Sequence, residues 1–541
     1  MPLNHYGIFL AYAPDVDFTR EGLGRYLAEF LKNASLLPDT RFVVACPHWL
    51  REPLQVMCEK NDIDMTTFDL VTTRGLPVTL RLYKFLGRTR QSKRRQNRWL
   101  LWLRHAATSF GPLKNMVESS LASTRSLTLF TAAGGLGLIL MVAVSPLFIA
   151  RGGYRLCRKG LGRVKFLRSL ADLICLGAGK LRAVISHPTA LPWFSRLYHR
   201  METQEIILLA GVANSLAHVR AWYCPSAFWP SFAKVKAPKL MCLPDLVLEQ
   251  FPFRFAESYG PHLSVTYDNV VKAVRGADHF VVYSNEIKYG TLVRSFGISS
   301  DAVHVVPHGA NCLGPFIQAR HGMHGFIGSI RSSCEQILLN VFASRKSSPY
   351  MSGFRNPGIR FMFYASQFRP NKNVMTLLEA YRYLLRHRFV NVKLVLTGNP
   401  DTLPDLGRYI GEHHLHKDVL CVQGLSIREL AAFYHLAEIA VNPSLFEGGF
   451  PFTFTEAMSV GTPVVMSDIP VTRDEIADER LAEAMLFNPY DFKAMAEKLE
   501  WALANKGILL DMEKPLFDTM VSRTWKDVVS DHVAILQNIS V

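Results

Sequence analysis

Outside one long insertion, the chain alternates short unbroken apolar runs with longer stretches whose apolar residues recur every third or fourth position. YGIFLAYA (6–13) and RFVVACP (41–47) predict the first strands, with a helix from about Gly24 to Lys32 between them. AVISHP (183–188), LMCLPDLV (240–247), HFVVYS (279–284) and VHVVPHG (303–309) continue that series. A second series starts at IRFMFYASQ (359–367) and runs through VKLVLTG (392–398), EIAVNPS (438–444) and TPVVMSD (462–468). Unbroken apolar strands belong to parallel sheets covered on both faces, and the stretches between them supply the crossover helices. Runs such as LAEFL (27–31) and LEAYRYLL (378–385) are therefore core-facing helix stripes. The expected fold class is α/β, with two Rossmann-like doubly wound domains facing a cleft and ligands at the carboxyl ends of the strands. The first domain is expected over 1–315 and the second over 358–510. Residues 316–357 would connect them, and helices over 511–541 would return towards the first.

The insertion, residues 74–182, changes the reading of charge. The 541-residue chain carries a net +16. The insertion holds 21 Lys and Arg against two acids, Glu118 and Asp172, so it contributes +19 and leaves the remainder near neutral. No nucleic-acid docking motif accompanies this basic block, which argues against a nucleic-acid partner. Its centre, from Leu127 to Ala150, is 24 residues without a charge, long enough for a helix to cross the roughly 30 Å hydrocarbon core of a bilayer. Basic clusters flank it on both sides, as the positive-inside rule requires only if both flanks are cytoplasmic. Strands of one sheet are expected before and after it, so a single crossing is excluded. A re-entrant bend near Gly134-Gly135 or Pro146, or a return through Trp99–Leu103 or Val164–Leu176, remains. The alternative is a wholly buried core helix. The expected location is the cytoplasmic face of a membrane, with membrane lipid as a partner through 74–182. The nine scattered cysteines form no C-x-x-C pair and fit reduced thiols without a zinc site. The first fifteen residues read as a strand, not a signal peptide.

The segment NPSLFEGGFPFTFTEAMSVGTPVVMSDIPVTRDEI (442–476) carries the chemistry. A site for a nucleotide sugar must hold vicinal diols, a diphosphate and a developing positive centre. Carboxylates accept pairs of hydroxyl hydrogen bonds, and glycine-rich backbone exposes N–H groups to phosphate oxygens. Glu447 starts a glycine turn, Gly448-Gly449, and Glu456 is expected at the head of a helix beginning TEAMS. This segment resembles the donor-binding signature of glycosyltransferase family 4, the retaining group with the GT-B fold. FYASQFRPNKN (363–373), LVLTGNP (394–400), VHVVPHGAN (303–311) and REGLGRYLAEFL (20–31) fall in the order that family shows. The resemblance covers nearly all of the chain except 74–182.

What it implies is specific. Glu456 would bind the nucleotide ribose. Glu447, with backbone at Gly448, Gly449, Phe450 and Pro451, would lie against the transferred sugar. Arg369 and Lys372 would neutralise the diphosphate, stabilising the charge of the leaving group, and Gly22 and Gly24 would let first-domain backbone close on it. Two departures accompany these matches. Eight residues rather than seven separate Glu447 from Glu456. In MCLPDLVLEQFP (241–252) the pair Pro244-Asp245 stands where many members have His-Asp, leaving Asp245 as a candidate catalytic group or a loop cap. His187 and His308 are further candidates for the cleft. The family implies transfer from a nucleotide diphosphate sugar to an acceptor hydroxyl with retained configuration, without a metal or other cofactor. With the insertion, the expected acceptor is a lipid-linked saccharide in cell-surface polysaccharide assembly. The look of FRPNKN and EAMSVGTPVV favours GDP-mannose as donor. The alternative from another class is a non-catalytic, membrane-docked nucleotide-sugar-binding or scaffold protein with a degenerate site.

Overall fold

A computed structural model describes residues 3–14, 16, 18, 22–87, 118–122, 124–132, 192–251, 262–317, 329–344, 354 and 358–540. The strand expected over 183–188, His187 and most of the apolar run lie outside the described residues. Two wholly parallel sheets organise the rest. The first holds β1 (Asn4–Phe9), β2 (Thr40–Cys46), β3 (Asp69–Thr72), β4 (Trp222–Cys224), β5 (Lys239–Cys242), β6 (His279–Val282) and β7 (Val303–Val305), in the order β3-β2-β1-β4-β5-β6-β7. The second holds β8 (Phe361–Tyr364), β9 (Lys393–Leu396), β10 (Val419–Cys421), β11 (Ile439–Asn442), β12 (Val464–Ser467) and β13 (Leu486–Phe487), in the order β10-β9-β8-β11-β12-β13.

Apart from β2, the observed strands are shorter than the apolar runs that predicted them. In β1 the ladder ends at Phe9, and Leu10, Ala11 and Tyr12 continue inward as a packed loop. Four strands had no run of their own: β3, β4, β10 and β13 are two to four residues long, held in place by register with β2, β5, β9 and β12. Each sheet reverses its order once, between β1 and β4 and between β8 and β11. Loops leaving the carboxyl ends there diverge and open the crevice in which such folds bind ligands.

Each sheet has its own core. Tyr6, Phe9, Phe42 and Trp222 are buried in the first, Tyr364, Leu377, Tyr381 and Phe433 in the second. The expected helix stripes supply them: Leu27, Phe30 and Leu31 face the first core from the helix Gly22–Ala34. Within the stretch expected as a connection, the helix Ile330–Ser344 buries Cys334, Leu338, Val341 and Phe342 in the second core. The last helix, Trp525–Ile539, crosses back and buries Trp525, Val528, Val529 and Leu536 in the first. There the Tyr26 hydroxyl lies 3.2 Å from His532 Nε2.

Strands from both sides of 74–182 share the first sheet, which is the premise that excludes a single membrane crossing. The described part of the insertion is fastened to this domain. Arg125 Nη2 reaches both carboxylate oxygens of buried Glu205, at 2.9 and 3.0 Å, and the Val78 amide donates to the Thr124 carbonyl at 3.0 Å. The apolar run begins beyond that anchor as a helix at 127–132 with Leu127 and Leu129 exposed. Among the described residues no helix is long and apolar enough to cross a membrane.

Candidate functional site

The loops at the two switch points bring most of the expected residues to one place. After β8 the chain turns through Pro370–Lys372 and enters the helix Val374–His387 with Asn373 in the left-handed region (φ 53°). Its side chain donates to the Pro489 carbonyl at 2.7 Å, fixing the turn. After β11 the Leu445 amide donates to the Asn371 carbonyl at 2.8 Å, tying this loop to the one after β8. The two loops thus present Lys372 and Glu447 together: Nζ stands 2.6 Å from Glu447 Oε1, with both side chains largely shielded. Burial alone would lower the Lys372 pKa, but Glu447, Tyr364 and Asp245 outweigh it and hold the ammonium above its ordinary range. Arg369 lies exposed beside them and donates to Gln367 Oε1 at 2.9 Å.

Glu456 is nearly buried, and its helix does not start at TEAMS. The helix runs Phe452–Met458, with Pro451 as N-cap. Proline lacks the N–H that a first turn leaves unpaired anyway, and its fixed φ starts the turn four residues before Glu456. Glu456 therefore sits in the second turn, among Asn311, Tyr434 and Arg25. Burial raises its carboxyl pKa, and the charge of Arg25 with the polar groups of Asn311 and Tyr434 offsets only part of that rise. Phe450 is buried in the second core.

The first domain supplies the opposite wall. Gly448 lies so close to it that a Cβ there would stand 1.7 Å from the Pro244 carbonyl oxygen and 2.9 Å from Asp245 Cβ. Ser284 Oγ donates to the Gly448 carbonyl at 2.8 Å. A Cβ on Gly449 would meet Tyr283 Cβ at 2.8 Å and His308 Nε2 at 3.3 Å. The glycine turn is thus a close approach of the two domains that leaves no room for a side chain, a packing demand the sequence did not reveal. Asp245, after β5, faces this turn across the cleft. Solvent still reaches it, yet the walls crowd its carboxyl, and this desolvation raises its pKa against the pull of Lys372 and Arg369. His308, after β7, stacks on Phe452 with ring centroids 3.9 Å apart. Burial pushes its imidazole down to about 4, so the ring is neutral near pH 7.

Gly22 is the first residue of the helix Gly22–Ala34 and Gly24 lies in its first turn, where a Cβ would stand 2.0 Å from the Phe18 carbonyl oxygen. That contact fixes the start of the helix and aims the next residue. Arg25, which no motif singled out, reaches across the cleft with Nη1 3.6 Å from Glu456 Oε1. The structure therefore brings together Glu447, Glu456, Lys372, Asp245, His308 and the glycine turn.

Two parallel doubly wound domains that meet through loops at the carboxyl ends of their strands, bearing carboxylates and cations, have the GT-B architecture. The crystal structure of Anabaena Alr3699/HepE in complex with UDP and glucose shares this fold. Its TM-score is 0.53 at 12% identity, over 98% of this chain and 99% of that one. Residues 353–515 match the family described as Glycosyl transferases group 1, so the second domain is a domain of that family. The chain is 28% identical over 182 residues to a lipopolysaccharide 1,2-N-acetylglucosaminetransferase of Salmonella typhimurium, a match covering 30% of this chain and 46% of that protein. It thus spans about half the length of that relative. Over 373 residues it is 23% identical to the O-antigen chain mannosyltransferase RfbU of the same organism, covering 65% of this chain and 89% of that one.

Proposed function

We propose that this protein is a retaining glycosyltransferase that moves a sugar from a nucleoside diphosphate to a hydroxyl of a lipid-linked saccharide during cell-surface polysaccharide assembly. The observation that carries the reading is the Lys372–Glu447 pair at the switch point of a glycosyl transferases group 1 domain, facing Asp245 and His308 across the glycine turn. In this reading Lys372 and Arg369 hold the diphosphate and stabilise the charge that grows on it as the sugar C1–O bond breaks. Glu456 accepts the ribose hydroxyls, and Glu447 lies against the sugar beside the glycine turn. The acceptor oxygen bonds to C1, and its proton ends on the released diphosphate. Neutral His308 and crowded Asp245 orient sugar and acceptor from the first domain. Basic side chains and backbone amides do the work of a metal, so turnover persists in EDTA.

The donor in this proposal is GDP-mannose, supported by the mannosyltransferase resemblance of FRPNKN and EAMSVGTPVV and by the O-antigen mannosyltransferase relative. The acceptor is lipid-linked because the anchored base at Arg125–Glu205 leads directly into the uncharged run and its basic flanks. Such a run would dock the first domain on the cytoplasmic leaflet.

The test is nucleoside-diphosphate release from a panel of GDP- and UDP-sugars, using the full chain with native membrane extract. Release from one donor, lost in Glu456→Ala, is the expected result. Nucleotide binding without release from any donor would replace the transferase by a scaffold.

A further inference from the structure

The two carboxylates of the donor half each hold a cation, but from different sources. Glu447 takes Lys372 from its own domain, whereas Glu456 takes Arg25 from the other. The two contacts also differ in kind. Lys372 and Glu447 are hydrogen-bonded at 2.6 Å and largely shielded. Arg25 and Glu456 stand 3.6 Å apart, beyond a good hydrogen bond, and 48% of the Arg25 side chain remains exposed against 8% for Glu456. A buried carboxylate served by a loose, half-solvated guanidinium is poised to exchange that partner for better donors.

The backbone around Arg25 is not loose. It follows Gly24, whose contact with Phe18 pins the first turn of the helix Gly22–Ala34. This helix follows β1 at the switch point, so its amino end faces the crevice and its uncovered N–H groups favour an anion there. The same short reach therefore joins a buried carboxylate and an anion-favouring helix start.

We propose that Arg25 is a donor-binding cation contributed by the N-terminal half. It pairs with Glu456, yields that carboxylate to the ribose hydroxyls when a nucleoside diphosphate sugar enters, and turns its guanidinium onto the diphosphate. No bond is made or broken; one weak ion pair is exchanged for two hydroxyl–carboxylate hydrogen bonds and a cation–phosphate contact. The proposal rests on the donor reading above and adds that donor entry itself rearranges the contact between the domains.

Calorimetric titration of the full chain with GDP, UDP, guanosine and uridine tests it, comparing wild type with Arg25→Ala, Arg25→Gln and Arg25→Lys. The preferred diphosphate is expected to bind about tenfold or more weakly to Arg25→Ala and Arg25→Gln, as for one lost charge-assisted hydrogen bond. The matching nucleoside should bind them as well as wild type or better, because Glu456 is released, and Arg25→Lys should recover part of the diphosphate affinity. Unchanged diphosphate binding, or equal weakening of nucleoside and diphosphate, would overturn the assignment and leave Arg25 as a strut between domains. Donor turnover of the wild type is measured in parallel. Diphosphate binding without turnover would sink the transferase reading and leave the Arg25 comparison standing, whereas a wild type that binds neither nucleotide would overturn both.

Discussion

Gly448→Ala places one methyl where the two domains pack too closely for a side chain. The added carbon would stand 1.7 Å from the Pro244 carbonyl oxygen, where contact requires about 3.3 Å. The obstacles at Pro244 are backbone atoms, so no rotamer change relieves the overlap, and one wall must retreat by roughly 1.5 Å. That retreat stretches the 2.8 Å bond from Ser284 Oγ to the Gly448 carbonyl and draws Asp245 away from Lys372 and Glu447. Keeping the cleft closed would cost about 1–3 kcal/mol for the overpacking, with about 1 kcal/mol more if the hydrogen bond is lost. The domains avoid most of this by opening, since each sheet has its own core. Catalysis has no such escape, because a displacement of about 1 Å in reacting groups costs on the order of 100-fold in rate. Nucleoside-diphosphate release at limiting donor is therefore expected to fall by about two orders of magnitude, while the melting temperature moves by less than about 4 °C. A rate within threefold of wild type would refute the premise that this contact is the working geometry. A collapse of the melting temperature would shift the role of Gly448 from the cleft to the fold.

Two further expectations concern buried titratable groups away from the cleft. Glu513 is fully buried and, among the described residues, accepts only the Val464 amide, at 3.0 and 3.1 Å, so desolvation raises its pKa well above the ordinary value. An acid whose folded pKa is raised destabilises the fold as pH climbs above the unfolded value of about 4.3. Urea unfolding should show Glu513→Gln gaining on wild type between pH 5 and pH 8 and losing that advantage by pH 4; a pH-independent difference would contradict this. His532, fully buried between the Val528 carbonyl (2.7 Å) and the Tyr26 hydroxyl (3.2 Å), is pushed down to about 4. Its contribution is present above the unfolded pKa of about 6.5 and is lost as pH falls towards 4, by about 2 kcal/mol at pH 5. His532→Gln should flatten the stability profile between pH 7 and pH 5, and an unchanged slope would rule out this histidine as the source.

What could be read along the chain is what local residues dictate. Unbroken apolar runs marked the long strands, and FEGGFPF with FRPNKN marked the two second-domain loops that the structure brings together, because each carries its polar groups within a few residues. Strands such as Trp222–Cys224 and Leu486–Phe487 escaped because three or two residues make no pattern; only register with a neighbour makes them strands. Pro451 announced a helix start that the TEAMS reading passed over. Arg25 escaped for a different reason. Its significance is a contact with a residue 431 positions away, and a lone arginine after a glycine loop has no local signature. The glycine turn carried a signal whose cause was only half visible, since the close approach to Pro244 belongs to the other domain.

The segment after β7 shows how the two halves are coupled. His308 stacks on Phe452, the Asn311 amide donates to Thr455 Oγ1 at 3.3 Å, and the Leu313 amide donates to Ser459 Oγ at 2.8 Å, all on or beside the helix that carries Glu456. In the same segment a Cβ on Gly309 would stand 3.1 Å from Trp525, whose helix is packed in the first core, and Arg523 Nε donates to the Pro307 carbonyl at 3.0 Å. Residues 307–313 are therefore gripped by both halves within seven positions. Any opening of the cleft must be absorbed in this stretch and in the return to Trp525, because the flanking backbone is tied to one sheet or the other. The residue most exposed to that motion is His308, whose ring lies between Tyr283 of the first domain and Phe452 of the second. A side chain held by both walls reports on closure directly, which gives His308 a structural reason to stand where the two domains meet.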